Sequence, residues 1–215
     1  MSKVVTFIFD DCYKAEHTLA LPLFKAYDVS ACTAVTSDFI GKLKEGTNEP
    51  YSNVTELLQM QDAGWEILSH GKRHTELGKA TLEEIEKELK ESKEDLVKLG
   101  FKVNNLVYPC HSYTEIVKSM AKPYYRSARG RHGLNHSADR YELSGIMIDN
   151  HTQVEEYKRL IDVNKDWLIF YCHLCTSKII QSTVAQRITT VQALLSYALE
   201  RGCKIKTVNE ALNGY

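Results

Sequence analysis

The 215-residue chain has almost no net charge, since 27 lysines and arginines against 28 aspartates and glutamates leave a formal −1. No run of like charge stands out either, so nothing points to a nucleic acid or an anionic membrane as partner, and any charged chemistry must be local. Long hydrophobic runs are missing: no stretch approaches the roughly 20 apolar residues of a membrane span. The opening apolar run, residues 4–9, stops at Asp10 and Asp11 and is shorter than the roughly 7–15 residues of a signal-peptide core. As written, the chain therefore reads as cytoplasmic, with a phage-borne protein or a secreted protein trimmed of its signal as alternatives. Internal repeats, low-complexity tracts and linker-like stretches are absent as well. With 43% hydrophobic and 26% charged residues, the composition is globular and excludes disorder, collagen-like structure and coiled coil. The length suits one domain spanning residues 1–215. Six cysteines (Cys12, Cys32, Cys110, Cys172, Cys175 and Cys203) make an even number, but without an export signal they read as thiols rather than a disulfide framework.

What is present is an alternation of apolar β-rich runs with longer segments of helical period, the pattern of repeated β-α units with parallel strands. Residues 4–9, 30–36, 65–69, 106–108, 167–171 and 203–207 read as strands, and residues 17–27, 53–63, 114–121 and 183–201 as helices. The best-defined helix starts at Thr81, which forms a capping box with Glu84, and carries Leu82, Ile85, Leu89, Leu96 and Leu99 as an apolar stripe up to Gly100. Its charged residues fall on the other face and are read as solvated. Residues 124–150 read as loop around Arg126, Arg129, Gly130, Arg131 and Gly133, apart from a strand at 143–148.

In parallel α/β sheets functional groups collect at the carboxyl ends of the strands, so polar residues directly after apolar runs need a reason. Asp10 and Asp11 are neighbouring carboxylates that repel unless a cation or hydrogen bonds compensate; the alternative is that both cap the following segment. His70 and His74 are four apart, a spacing that on a helical turn puts both imidazoles on one face, as in zinc pairs. A carboxylate and two imidazoles make the three-ligand set of a catalytic zinc site with an open position. Such a metal polarises a carbonyl and acidifies its water, a second carboxylate can act as base, and an imidazole can protonate a leaving group. His173, after the clearest late strand, suits that last role, its alternative being a partly buried histidine bonded to backbone. Cys172 and Cys175 form a lone Cys-x-x-Cys, which admits a thiol-disulfide reading.

Taken in order, Phe9-Asp10-Asp11, Ser69-His70 with His74, Tyr108-Pro109 and a hydrophobic strand ending at His173 resemble the motifs of the polysaccharide deacetylase family, carbohydrate esterase family four. The resemblance runs from Val4 to Leu212. It implies an α/β fold, a distorted (β/α) barrel, usually of seven strands. It also implies hydrolysis of an N-acetyl, or sometimes an O-acetyl, group from an amino sugar, oligosaccharide or polysaccharide, releasing acetate. By resemblance, Asp10 is the general base, His173 the general acid, and Asp11, His70 and His74 bind a divalent metal, most simply Zn2+. Tyr108, Pro109 and Cys110 occupy the motif that lines the groove, where the amide after the proline helps hold the oxyanion. Cys12 replaces the usual glycine of the first motif, and Val107-Tyr108-Pro109-Cys110-His111 lacks the third motif's arginine, which orients the base. Arg126 or Arg129, with Arg129 preferred, is expected to supply that charge from a neighbouring strand. An altered third motif also motivates a second reading, a carbohydrate-binding member of the fold that has lost turnover. Cys12, Cys110, Cys172 and His111 are expected near the site.

Overall fold

The computed structural model describes residues 3–135, 139–149, 152–164, 166–175 and 183–214. Seven parallel strands close on themselves in the order β1 (Val4–Asp10), β2 (Cys32–Val35), β3 (Glu66–Ser69), β4 (Val103–Val107), β5 (Ser127–His132), β6 (Leu143–Met147) and β7 (Trp167–Cys172), with β7 returning to β1. The seven-stranded (β/α) barrel is therefore the fold of this chain. Its distortion lies at β1, one edge of which is divided. Residues Ile8–Asp10 pair with β2, while Val4 and Val5 pair with a short eighth strand, β8 (Lys204–Ile205).

Around the barrel lie α1 (Leu21–Ala26), α2 (Val54–Asp62), α3 (Leu82–Lys98), α4 (Glu115–Ala121), α5 (Val154–Val163) and α6 (Val184–Glu200), with α7 (Val208–Leu212) following β8. Capping boxes start α2 at Asn53 and Glu56, α3 at Thr81 and Glu84, and α6 at Thr183 and Gln186. Each satisfies two backbone donors that a helix start leaves orphaned. Among the described residues, no helix is long and apolar enough to cross a membrane.

Alternation along the strands divides the core. Phe7, Phe9, Ile67, Leu106, Ala128 and Phe170 belong to a large cluster shared with the helices, while Ile8, Ala34, Leu68, Val107, Leu143 and Ile169 form a second cluster inside the barrel. The interior also holds polar residues. Near the amino ends of the strands, Asn105 Nδ2 donates to Glu66 Oε1 at 2.6 Å, Ser127 Oγ donates to Asn105, and the Asn209 amide of α7 donates to Glu66 Oε2 at 2.7 Å. These bonds satisfy buried groups, and α7 closes that end of the barrel.

Four expectations are corrected. Residues 127–132, expected as loop, form β5, because Ser127 and Arg129 face the polar interior rather than solvent. The helix expected over residues 17–27 opens as a π-turn, Glu16–Ala20, before α1. Along α3 the apolar stripe is buried at Ile85, Leu89 and Leu96, but at the two ends of the helix, where fewer neighbours can cover a side chain, Leu82 is 61% and Leu99 38% exposed. Glu88 on the same helix is fully buried rather than solvated. Helix α5 carries no counterpart among the sequence expectations, and Asn150, the end of the expected 124–150 loop, lies outside the described residues. Burial predicts that Leu89→Ala costs about 2–5 kcal/mol, whereas Leu82→Ala stays within about 0.5 kcal/mol. Denaturant unfolding of both variants measures this; equal losses would contradict the assignment.

Candidate active site

Inward positions along β1 run Val4, Thr6, Ile8 and Asp10, so the alternation that buries Ile8 aims Asp10 at the carboxyl end of the barrel interior. The same alternation carries His70 past Leu68, Arg129 past Ser127, and His173 past Tyr171. Asp11 would ordinarily point the other way. Its φ of +81°, followed by +55° at Cys12, turns the chain so that both carboxylates face His173 Nε2, Asp10 Oδ2 at 4.0 Å and Asp11 Oδ2 at 3.9 Å. Buried Glu16 pins this turn, accepting from the Tyr13 amide at 2.9 Å and from Thr33 Oγ1 at 2.6 Å. Burial pushes the Glu16 carboxyl well above the usual carboxylate range.

His70 and His74 converge, but through a loop and not the expected helical turn. Gly71 at φ +74° and His74 at φ +64° fold the segment back on itself. The Nε2 atoms of His70 and His74 lie 3.4 and 3.3 Å from Asp11 Oδ1, and one ligand atom from each of the three residues lies within 4.8 Å of the others. His70 Nδ1 faces the Val107 carbonyl at 2.8 Å; donating there fixes the tautomer and leaves Nε2 with a bare lone pair toward Asp11. Asp11 Oδ1 is itself buried without a well-formed hydrogen bond. Two acceptors thus face each other, and a cation between them resolves the conflict. The donor set of one carboxylate and two imidazoles fits a divalent transition metal with an open position. Burial acts to raise the Asp11 carboxyl; with protons on the imidazoles, hydrogen bonds from His70 and His74 and the charge of His173 outweigh it and hold it well below the usual range, the same charge balance that a cation would supply. Burial acts to lower His74, and the Asp11 carboxylate outweighs it, so His74 sits above an ordinary imidazole.

Asp10 is 3% exposed and takes its partner from β5, where Arg129 Nη2 donates to Asp10 Oδ2 at 2.5 Å. Arg126 instead turns away, to Asn209 and Asn213. The Arg129 guanidinium lies 4.1 Å over the Tyr171 ring, and Tyr171 Oη is 3.0 Å from His111 Nε2. His111 Nδ1 lies 3.2 Å from the Gly130 carbonyl, so it donates there and accepts from Tyr171. This bracket ties β4, β5 and β7 together behind the Asp10 carboxylate. Gly130 makes it sterically feasible: a Cβ there would lie 2.5 Å from Tyr108 and 2.7 Å from Tyr113, whose rings stack at 4.7 Å.

The structure brings Asp10, Asp11, His70, His74, His173 and Arg129 together. Tyr108 and Pro109 are buried beside the site, and Cys110 is exposed with Sγ 4.0 Å from His74 Nδ1. Cys12 and Cys172 pack into the core. All six cysteines are free, and burial pushes the Cys172 and Cys175 thiols above their ordinary value, opposite to the lowered pKa of reactive thiols. Glu16, Glu88 and Tyr171 were not singled out from the sequence. Tyr171 ends the clearest late strand two residues before His173, a parity that places both on the interior face.

Residues 1–128 match the family description Polysaccharide deacetylase. The chain belongs to the polysaccharide deacetylase family. No curated protein matches it. Among solved structures, it is similar to the Xyl-CE4 domain of a multidomain xylanase from the hindgut metagenome of Trinervitermes trinervoides, at 16% identity and a TM-score of 0.70, covering 100% of this chain and 91% of that one. It is also similar to a family 4 acetyl xylan esterase from Clostridium thermocellum in complex with a cobalt ion, at 16% identity and a TM-score of 0.69, covering 98% and 91%. The deacetylase PplD of Streptococcus pyogenes, in complex with acetate, aligns at 24% identity and a TM-score of 0.61, covering 69% of this chain and 66% of that one. At these identities the likeness establishes the polysaccharide deacetylase barrel.

The bracket behind Asp10 has a pH signature. Burial, and then the positive charge of Arg129, push His111 down to about 4 from 6.5; His70 adds to the effect, while Asp10 and the Gly130 carbonyl oppose it. The unfolded chain therefore binds this proton more readily, so the stability His111 contributes is complete above about pH 6.5 and is lost as pH falls toward 4. Thermal unfolding at pH 7 and 4.5 should show a larger drop for the wild type than for His111→Gln; equal drops would refute this.

Proposed function

We propose that the protein is a metal-dependent hydrolase that removes N-acetyl, or alternatively O-acetyl, groups from an amino sugar, oligosaccharide or polysaccharide and releases acetate. The observation that carries the reading is the separation of two adjacent carboxylates into different environments. Asp11 Oδ1 faces two imidazoles at 3.4 and 3.3 Å, while Asp10 Oδ2 is hydrogen-bonded to Arg129. Asp11, His70 and His74 would hold the cation, most simply zinc, which when bound polarises a carbonyl and acidifies a water.

The chain's own residues then divide the work. Asp10 accepts the proton of the attacking water at Oδ1, which has no hydrogen bond in the fold, because Arg129 occupies Oδ2 and fixes the plane of the carboxylate. His173, 26% exposed at its side chain and close to both aspartates, gives a proton from Nε2 to the departing amine. The Cys110 amide, at the position where the family uses a backbone donor, would stabilise the developing oxyanion. The near-zero net charge of the chain accords with a neutral acetylated sugar as substrate.

Asp10→Asn should lower acetate release from acetylated chito-oligosaccharides by at least about 100-fold, the scale of a lost general base, while elemental analysis still finds about one metal per chain. Metal loss in Asp10→Asn, with Asp11→Asn retaining it, would reverse the two roles.

A further inference from the structure

We propose that Glu88, on α3 and outside the ligand set, is the positioning residue that sets where His74 meets Asp11. The proposal rests on the reading that Asp11, His70 and His74 hold a divalent cation. Glu88 is fully buried, yet it belongs to a helix whose other charged residues are mostly at the surface. Its carboxylate is spent on the segment between the two histidines. Oε2 accepts from the Lys72 amide at 2.8 Å and the Arg73 amide at 2.9 Å, and Oε1 accepts from Arg73 Nε at 2.9 Å. Two consecutive amides converging on one oxygen make an anion nest in the backbone, and charge-assisted bonds to buried oxygens are the strong ones.

The neighbouring turns of α3 complete the clamp. Ser92 Oγ lies 3.0 Å from the Gly71 carbonyl and 2.9 Å from Ser69 Oγ, and Lys72 Nζ donates to Asp95 Oδ2 at 2.8 Å. Glu88, Ser92 and Asp95 follow i, i+4, i+7 spacing, so one face of the helix grips one loop. Gly71 marks how close the grip is, since a Cβ there would lie 3.0 Å from Glu88 Oε2.

The two histidines depend on this clamp unequally. His70 is fixed independently, its amide bonded to the Val35 carbonyl at 2.8 Å and its ring to the Val107 carbonyl. His74 follows the clamped residues with a left-handed backbone, φ +64°, and reaches Asp11 only if the loop holds its course. Loss of the Glu88 carboxylate therefore displaces His74 more than His70 and weakens metal binding without removing a ligand.

The test is titration of the metal-free full-length protein with Zn2+ against a competing chelator, together with the visible spectrum of the Co2+ form. Glu88→Gln keeps one acceptor oxygen but presents an amide donor toward Arg73, and should lower zinc affinity by about 10–100-fold, the range for residues supporting a metal ligand, with an altered Co2+ spectrum. Leu89→Ala, which loosens the same helix without touching the loop, should keep wild-type affinity and spectrum. His74→Ala separates the two layers of the argument. If His74→Ala weakens binding but Glu88→Gln binds zinc as the wild type does with an unchanged spectrum, the positioning role is overturned. If Glu88→Gln and Leu89→Ala lose affinity equally, Glu88 is merely structural and the proposal also falls. If His74→Ala leaves binding intact, the ligand assignment beneath it is wrong.

Discussion

The frame of this site depends on the two-residue alternation of side chains along a closed ring of parallel strands. A strand that sends every second residue inward, and whose last inward residue is polar, delivers a functional group to the carboxyl end of the barrel. Ile8 and Asp10 on β1, Leu68 on β3 with His70 directly after it, and Ile169 and Tyr171 on β7 with His173 directly after it follow this rule. A slip of one residue in register would exchange Asp10 for Phe9 and put a phenylalanine where that carboxylate stands. The apolar residues that hold the barrel shut and the polar ones that could react are thus selected together.

Alternation cannot place two neighbours on one site, and the loops supply the exception through unfavourable backbone. Among the described residues, six non-glycine residues adopt positive φ, and five of them, Asp11, Cys12, His74, Cys110 and His111, sit in the loops around the site. Such conformations cost roughly 1–3 kcal/mol each and persist where surroundings over-determine them. Here the surroundings include two buried glutamates. Glu16 ties the turn after β1 to β2, and Glu88 ties the loop after β3 to α3. The glycine that the resemblance puts at position 12 makes sense in this light. Cys12 and His111 accept the same backbone with side chains attached, and His111 puts its side chain to use between Tyr171 and Gly130.

Much of the site was legible in the sequence because polar residues interrupt apolar runs abruptly at Asp10, His70 and His173. The alternating elements and capping residues likewise exposed the barrel. Strand β5 was not legible, since Ser-Ala-Arg-Gly-Arg-His resembles a loop until a polar barrel interior gives Ser127 and Arg129 somewhere to point. Arg129 could be named as the orienting charge only through the resemblance, and its route to Asp10 crosses from β5 to β1, a contact between residues 119 positions apart. Glu88 was hidden for a different reason. Helical periodicity separates charged from apolar positions, but it does not reveal that a distant loop folds over one charged position and takes it out of water.

The central claim is that one cation belongs to Asp11, His70 and His74 while Asp10 stands apart, held by Arg129. Anomalous diffraction from crystals of the zinc-loaded protein, recorded on both sides of the zinc absorption edge, tests it most directly. The account predicts a single strong peak about 2.0–2.2 Å from a carboxylate oxygen of Asp11 and from Nε2 of both His70 and His74, with the Arg129 to Asp10 bond intact. A peak coordinated by Asp10, or none among these residues, would contradict it.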